Sequence, residues 1–361
     1  MLKILLSCFY MTALLHAQNS ISPIPKFNHI HDVKVVQAFD IPTLKANWKS
    51  RIEVMRIEGD VPIIDVESSF NAQKFNPKEY AGLMDKLHVA LIAFSPQVSK
   101  KEFEDHAKTW DDSVHRLIEI DPYRYVPTTT AGIYPVWTQQ PLDFAKESTS
   151  RAVQEAYPLL GEFEFRHYSS PREVKRNETT RDVSIPIDSP AAHELFQFSE
   201  RTRIPFEIHY EIEDGLLVPL EKMLQTYPRS KVIWCHLGQI RYSERAKHYT
   251  PAYVRELIER YPNLHFDLAF GDWNSIYPPS KEHQATLWNQ ESKHLKSEWI
   301  KLIEDHPYRF LIAFDIGGDR QGNLEDKVRV AREILSNFSP KIQEILAYKA
   351  FWRLVFQEDY K

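Results

Sequence analysis

The chain has 361 residues, 43% of them hydrophobic and 26% charged, which is enough apolar content for one large core and unlike a disordered or repeat-built chain. Its net charge of -5 and isoelectric point near 6.3 argue against a phosphate-backbone partner, since nucleic-acid-binding domains usually carry a concentrated basic surface, and point to a small-molecule substrate instead. Self-association into a homo-oligomer is left open.

Met1-Leu2-Lys3, the mostly apolar run from Ile4 to Leu15 and then His16-Ala17-Gln18 follow the charged, apolar, small-residue order of a secretory signal. Residues 1–17 are therefore expected to be a signal peptide cleaved near Ala17, and the mature protein to be exported, periplasmic or secreted, and free of the membrane. A membrane anchor is the weaker reading, because the run falls short of the ~18 to 20 apolar residues that span a bilayer. Leu5-Leu6-Ser7-Cys8 resembles a lipoprotein site, but too little apolar sequence precedes it. Cleavage removes Cys8 and leaves Cys235, inside the apolar run Val232-Ile233-Trp234-Cys235, as a buried structural thiol.

Residues 18–60 read as an N-terminal extension that caps the main domain or adds strands to it, and residues 61–361 as that domain. From Val61 onward short apolar runs alternate with segments of helical period, the pattern of βα units. The predicted strands are Pro62 to Glu67, Val89 to Phe94, Arg124 to Thr129, Gly161 to Arg166, Pro205 to Tyr210, Lys231 to His236, Leu264 to Phe270 and Phe310 to Asp315. Predicted helices include Pro77 to Leu87, Lys101 to Ile120, Pro190 to Arg203, Gly215 to Thr226, Pro251 to Tyr261 and Leu324 to Ser336. The expected fold is α/β, a (β/α)8 TIM barrel, with Pro340 to Phe356 as a closing C-terminal helix capped at Ser339. Glu67-Ser68-Ser69-Phe70 after the first strand has no glycine, which argues against a nucleotide-binding sheet.

Two long connections, about 167–189 and 271–294, follow strands and so lie where barrel active sites are built. The first carries Arg166, Arg172, Lys175, Arg176 and Arg181, and Arg241 and Arg245 follow the sixth strand. Arginines in such numbers suit carboxylate or phosphate groups, but Glu173, Glu178 and Asp182 lie among them and a solvated, charge-mixed loop is the plainer reading. Trp273, Tyr277 and Trp288 form an aromatic wall for a ligand or pack their loop on the rim.

Strand alternation sends Asp65, Glu67 and Ser69 to one face, Glu162, Glu164 and Arg166 inward from the fourth strand, and Glu207 and His209 inward from the fifth. His236, Asp267 and Asp315 join them from the last three strands. An ionised carboxylate in such an interior costs several kcal/mol unless it is paired or bound to a metal. Either a divalent metal or an ion-pair network centred on Arg166 satisfies these groups.

The order Ile64-Asp65-Val66, Pro205-Phe206-Glu207-Ile208-His209, Val232 to Gly238, Asn263 to Leu268 and Phe314-Asp315 resembles the amidohydrolase superfamily, specifically the amidohydrolase-related branch that includes aminocarboxymuconate decarboxylase. The resemblance runs from about Ile63 to Phe356. In that family an Asp-x-His-x-His motif on the first strand supplies two metal-binding histidines, and here Glu67 and Ser69 stand in their places. The resemblance implies Glu67, His209 and Asp315 as ligands of one divalent ion, zinc or manganese, with Asp315 also the general base and His236 orienting the attacking water. Glu164, Arg166, Glu207, Arg241 and Trp273 are then expected to contact substrate. The implied activity is hydrolysis of a C–N, ester or lactone bond of a small anionic substrate. The alternatives are a carbon–carbon lyase of decarboxylase type, a ligand-binding barrel that has lost its metal, and metal-free acid–base catalysis by Glu67, His236 and Asp315.

Overall fold

A computed structural model of the chain describes residues 37–318 and 320–361. The expected signal peptide and the first half of the extension lie outside these residues. In chain order the strands are β1 (Ile63–Phe70), β2 (Val89–Pro96), β3 (Tyr125–Pro127), β4 (Leu160–His167), β5 (Val183–Ser184), β6 (Phe206–Tyr210), β7 (Val232–Trp234), β8 (Leu264–Asp267), β9 (Ile276–Tyr277), β10 (Glu282–His283) and β11 (Phe310–Leu311). Each of the eight predicted strands is present, as β1 to β4, β6 to β8 and β11.

These eight run parallel in two sheets, β1-β2-β3 and β11-β8-β7-β6-β4, with β5 added antiparallel to the end of β4. Backbone bridges join the two sheets at both edges. On one side Thr128 bridges Leu159 and Gly132 bridges Phe163, and the Gly132 N–H donates to the Glu162 carbonyl at 2.7 Å. A Cβ on Gly132 would meet the Phe163 ring at 2.4 Å, so this seam depends on glycine. On the other side Ser68 bridges Ile316, and the Asp315 N–H donates to the Glu67 carbonyl at 3.0 Å. The strands thus follow one another around a ring closed at its two seams by isolated bridges, two on one side and one on the other. Every residue of β1 and β2 is buried, as strands with helices outside and a packed interior require.

The helices form where the apolar period and the caps predict them, including Pro77–Lys86, Pro190–Thr202, Asp214–Thr226, Pro251–Arg260 and Leu324–Leu335. One expected helix is broken. Lys100–His106 ends at Ala107 in the left-handed region, Trp110 buries its ring in the gap, and Asp111 accepts from the Ser113 N–H to start Ser113–Ile120.

Of the two forms expected for the extension, a cap or added strands, its described part has the first: it holds the helix Ile41–Glu58 and no strand. Asp40 caps it, and Leu44, Trp48, Ile52 and Met55 form its buried stripe. The Trp48 indole N–H donates to the Tyr125 carbonyl at 3.1 Å and Arg51 Nε to the Ala90 carbonyl at 2.8 Å, so the helix covers the amino ends of β2 and β3. The closing helix runs from Pro340 to Phe356 through a π-helical turn at Ile345–Lys349. Ser339 holds the cap position without a side-chain hydrogen bond. No helix of the described residues is long and apolar enough to cross a membrane.

Candidate functional site

At the carboxyl ends of the strands a cavity of about 470 Å³ opens between β4, β6, β7 and β11. Glu162, His167, His209, His236, Arg241 and Asp315 are among the residues that line it. His236 (φ 64°) and Asp315 (φ 49°), just beyond β7 and β11, both hold left-handed backbone, which costs an L-residue roughly 1–2 kcal/mol.

Three donor atoms meet at its floor. His209 Nδ1 lies 2.8 Å from Glu162 Oε1 and 3.0 Å from His236 Nε2, and His236 Nε2 lies 3.6 Å from the same carboxylate oxygen. Each imidazole is held at its other nitrogen. His236 Nδ1–H donates to the Ala269 carbonyl at 2.8 Å, and His209 Nε2–H faces Glu211 Oε1 at 3.3 Å. A carbonyl only accepts, so Nδ1 of His236 carries a proton and its Nε2 is the nitrogen turned toward Glu162 and His209. Glu211 is itself gripped by Arg241 Nε at 3.0 Å, and Arg241 also donates to Gln284.

The charge around these atoms is lopsided. Glu67 and Asp267 form a second group of ligand atoms with His236, within 4.8 Å of one another. Burial first, and then the charges of Glu162, Asp315, Asp267 and Glu207, push the Glu67 carboxyl well above its ordinary range. Glu207 is pushed up by burial, Asp267 and Glu162. Burial also works against ionisation of Glu162, but its hydrogen bonds to His209 and His236 outweigh it and hold that carboxyl well below the ordinary range. His209 rises to about 10, because Glu162 and Glu211 overcome the effect of burial. Glu67 Oε2, Glu207 Oε1 and Asp267 Oδ2 are buried without a hydrogen-bond partner. Five carboxylates beside two imidazoles, with orphaned oxygens and a mixed N,O donor set, fit a divalent cation.

The expected ligand set is redistributed. The atoms that converge belong to Glu162, His209 and His236, and to Glu67, His236 and Asp267. Asp315 stands on the cavity wall, where Arg320 at 3.3 Å and Lys327 at 3.7 Å face it. Although burial opposes ionisation, Lys327, Arg320 and His236 bring its carboxyl down to about 2. Ser69 turns away from the group and accepts from Gln97 Nε2 at 2.5 Å.

Of the expected substrate contacts, Arg241 lines the cavity. Glu164 is buried beside it in an ion pair with Arg181, and Glu207 lies below the floor. Arg166 is corrected. A register shift between Glu164 and Arg166 pairs Arg166 with the outward-facing Tyr210, and the guanidinium turns to Glu213 and Asp182 at 2.8 and 2.7 Å. The same shift brings His167 inward, its ring centroid 4.5 Å from that of His209. Trp273 does not line the cavity and instead carries the Lys293 ammonium over its ring at 4.3 Å. Trp288 packs on the rim with its indole N–H on the Gly271 carbonyl at 2.9 Å, and Tyr277 ties the two long loops together through the Ser169 carbonyl at 2.9 Å. Cys235 is buried, as expected, and burial raises its thiol well above the reactive range.

No family model and no curated protein matches the chain. Among solved structures it is similar to 2,6-dihydroxybenzoate decarboxylase complexed with 2,6-dihydroxybenzoate, at 15% identity and a TM-score of 0.49, over 82% of this chain and 99% of that one. It is also similar to the 2,6-dihydroxybenzoate decarboxylase from Rhizobium, at 14% identity and 0.46, over 82% and 99%. Amidohydrolase 2 from Bifidobacterium longum subsp. infantis is similar at 12% identity and 0.44, over 82% and 100%.

Proposed function

We propose that the chain is a metal-dependent enzyme that hydrolyses a C–N, ester or lactone bond of a small anionic substrate. One divalent ion, zinc or manganese, would be held by Glu162, His209 and His236, with Glu67 adding a carboxylate oxygen. The observation that carries this reading is the convergence of three donor atoms within 2.8 to 3.6 Å, with both imidazoles tethered at their far nitrogens. In this reading His236 is a ligand instead of a water-orienting residue, and Asp315 is the proton acceptor on the wall instead of a ligand. When bound, the ion would polarise the scissile carbonyl and activate water near neutral pH. Arg241 and Arg181, which line the cavity with Arg320, would hold the anionic part of the substrate. A carbon–carbon lyase would use the same residues.

A second reading is favoured by one observation. His209 is flanked by Glu162 and Glu211, a satisfied ion-pair network of the kind a metal-free binding barrel would have. Elemental mass spectrometry of the purified protein, before and after chelation and after reloading with zinc or manganese, separates the two. About one ion per chain, lost in Glu162→Ala and His209→Ala, supports the enzyme. No uptake by the folded wild type would remove the metal-dependent reading. We further propose export with cleavage after Ala17, which an intact mass starting at Gln18 would support.

A further inference from the structure

At the opposite end of the ring, where β7, β8 and β11 begin, a second cavity of about 410 Å³ lies between the strand starts and the closing helix. Arg203, Arg229, Lys231, His265 and Arg353 line it, and no aspartate or glutamate does. In a protein of net charge -5 this is a local reversal of sign. Two of the cations are already neutralised, Arg229 by Glu200 at 2.9 Å and Arg353 by Asp359 at 2.6 Å.

The others are not. Lys231 is 5% exposed, and its ammonium, with three donor hydrogens, has the Leu354 carbonyl as its one hydrogen-bond acceptor among the described residues. Arg203 donates to the Arg229 carbonyl, and Arg309, behind His265, donates to the Pro262 and Leu264 carbonyls. No carboxylate of the described residues lies within ion-pair distance of Lys231, Arg203 or Arg309. A buried ammonium without a counter-charge is costly, and such a group is kept where a ligand compensates it. Burial, with Arg203 adding to it, lowers the Lys231 ammonium to about 8, which is the strain that an anion at this position would relieve.

We propose that this cavity is a phosphate-binding site, with Lys231 and Arg203 as its principal donors, separate from the cavity at the carboxyl ends. Its volume leaves room for the carrier of a phosphate group as well as for the free ion. Because its walls come from the starts of β7 and β8, Tyr308 just before β11, the loop at Pro228 to Ser230 and the closing helix, an occupant clamps the end of the chain onto the ring.

Thermal unfolding of the full protein with inorganic phosphate, ribose 5-phosphate or chloride at matched ionic strength tests this. Phosphate raises Tm by a few degrees where chloride does not, and Lys231→Met or Arg203→Gln weakens phosphate binding by roughly tenfold or more. A larger rise with ribose 5-phosphate identifies an organic phosphate as the occupant, and an equal rise identifies the free ion. The proposal is overturned if chloride acts as well as phosphate, or if folded Arg203→Gln keeps the full effect. Loss of the effect in Arg241→Gln, at the other cavity, would overturn it too.

Discussion

His209 and His236 face each other with Nδ1 of the first 3.0 Å from Nε2 of the second, and neither ring can rotate away without breaking a hydrogen bond at its far nitrogen. For His236 that bond goes to a backbone carbonyl, beyond the reach of side-chain substitution. For His209 it goes to Glu211, which Arg241 holds in place. Glu211→Ala therefore releases the His209 ring while leaving all the proposed ligands present. Metal affinity should fall roughly 10- to 100-fold, the effect of losing an outer partner of a histidine ligand. Competition against a chelator of known affinity measures it, and unchanged affinity in the folded variant would count against His209 as a ligand.

The helix Ile41–Glu58 meets the amino ends of β2 and β3 through Arg51 and through a fully buried indole, Trp48, the largest side chain of its buried stripe. Trp48→Ala removes that ring and leaves the Tyr125 carbonyl without its donor. The expected loss is roughly 3–5 kcal/mol in urea unfolding, by analogy with other buried aromatics. A chain begun at residue 61 should fail to unfold cooperatively for the same reason. If it folds with unchanged stability, residues 37–60 are a separable extension after all.

The strands were legible because each is a short apolar run bounded by polar turns, and Val89 to Phe94 or Pro205 to Tyr210 can be read with little else. Alternation also sent Glu162 inward, but it cannot tell which of Glu162 and Glu164 meets the histidines. That choice depends on the ion pair that takes Glu164 to Arg181. The exchange of Arg166 for His167 was not readable, because the register shift after Glu164 leaves no mark in the pattern of residue types. Glu211 could have been found by extending the alternation of Glu207 and His209 two residues past the strand. The left-handed backbone at His236 and Asp315 has no such signal, since neither is a glycine.

His265 offers a pH test outside the proposed metal site. Burial, with the charges of Arg309 and Lys231 adding to it, lowers its imidazole from 6.5 to about 3. The folded chain thus binds this proton less readily than the unfolded chain, so stability rises with pH wherever the unfolded state is the more protonated. The contribution is fully present above pH 6.5 and is lost as the pH falls toward 3. Replacing the imidazole by an amide in His265→Gln removes the titration. Between about pH 7 and pH 4.5 the wild type should lose roughly 1–3 kcal/mol more stability than the variant, measured by urea unfolding in buffers free of phosphate. Parallel pH profiles for the two proteins would mean that His265 titrates alike in the folded and unfolded chains, and that the basic surroundings given by Lys231 and Arg309 do not act on it.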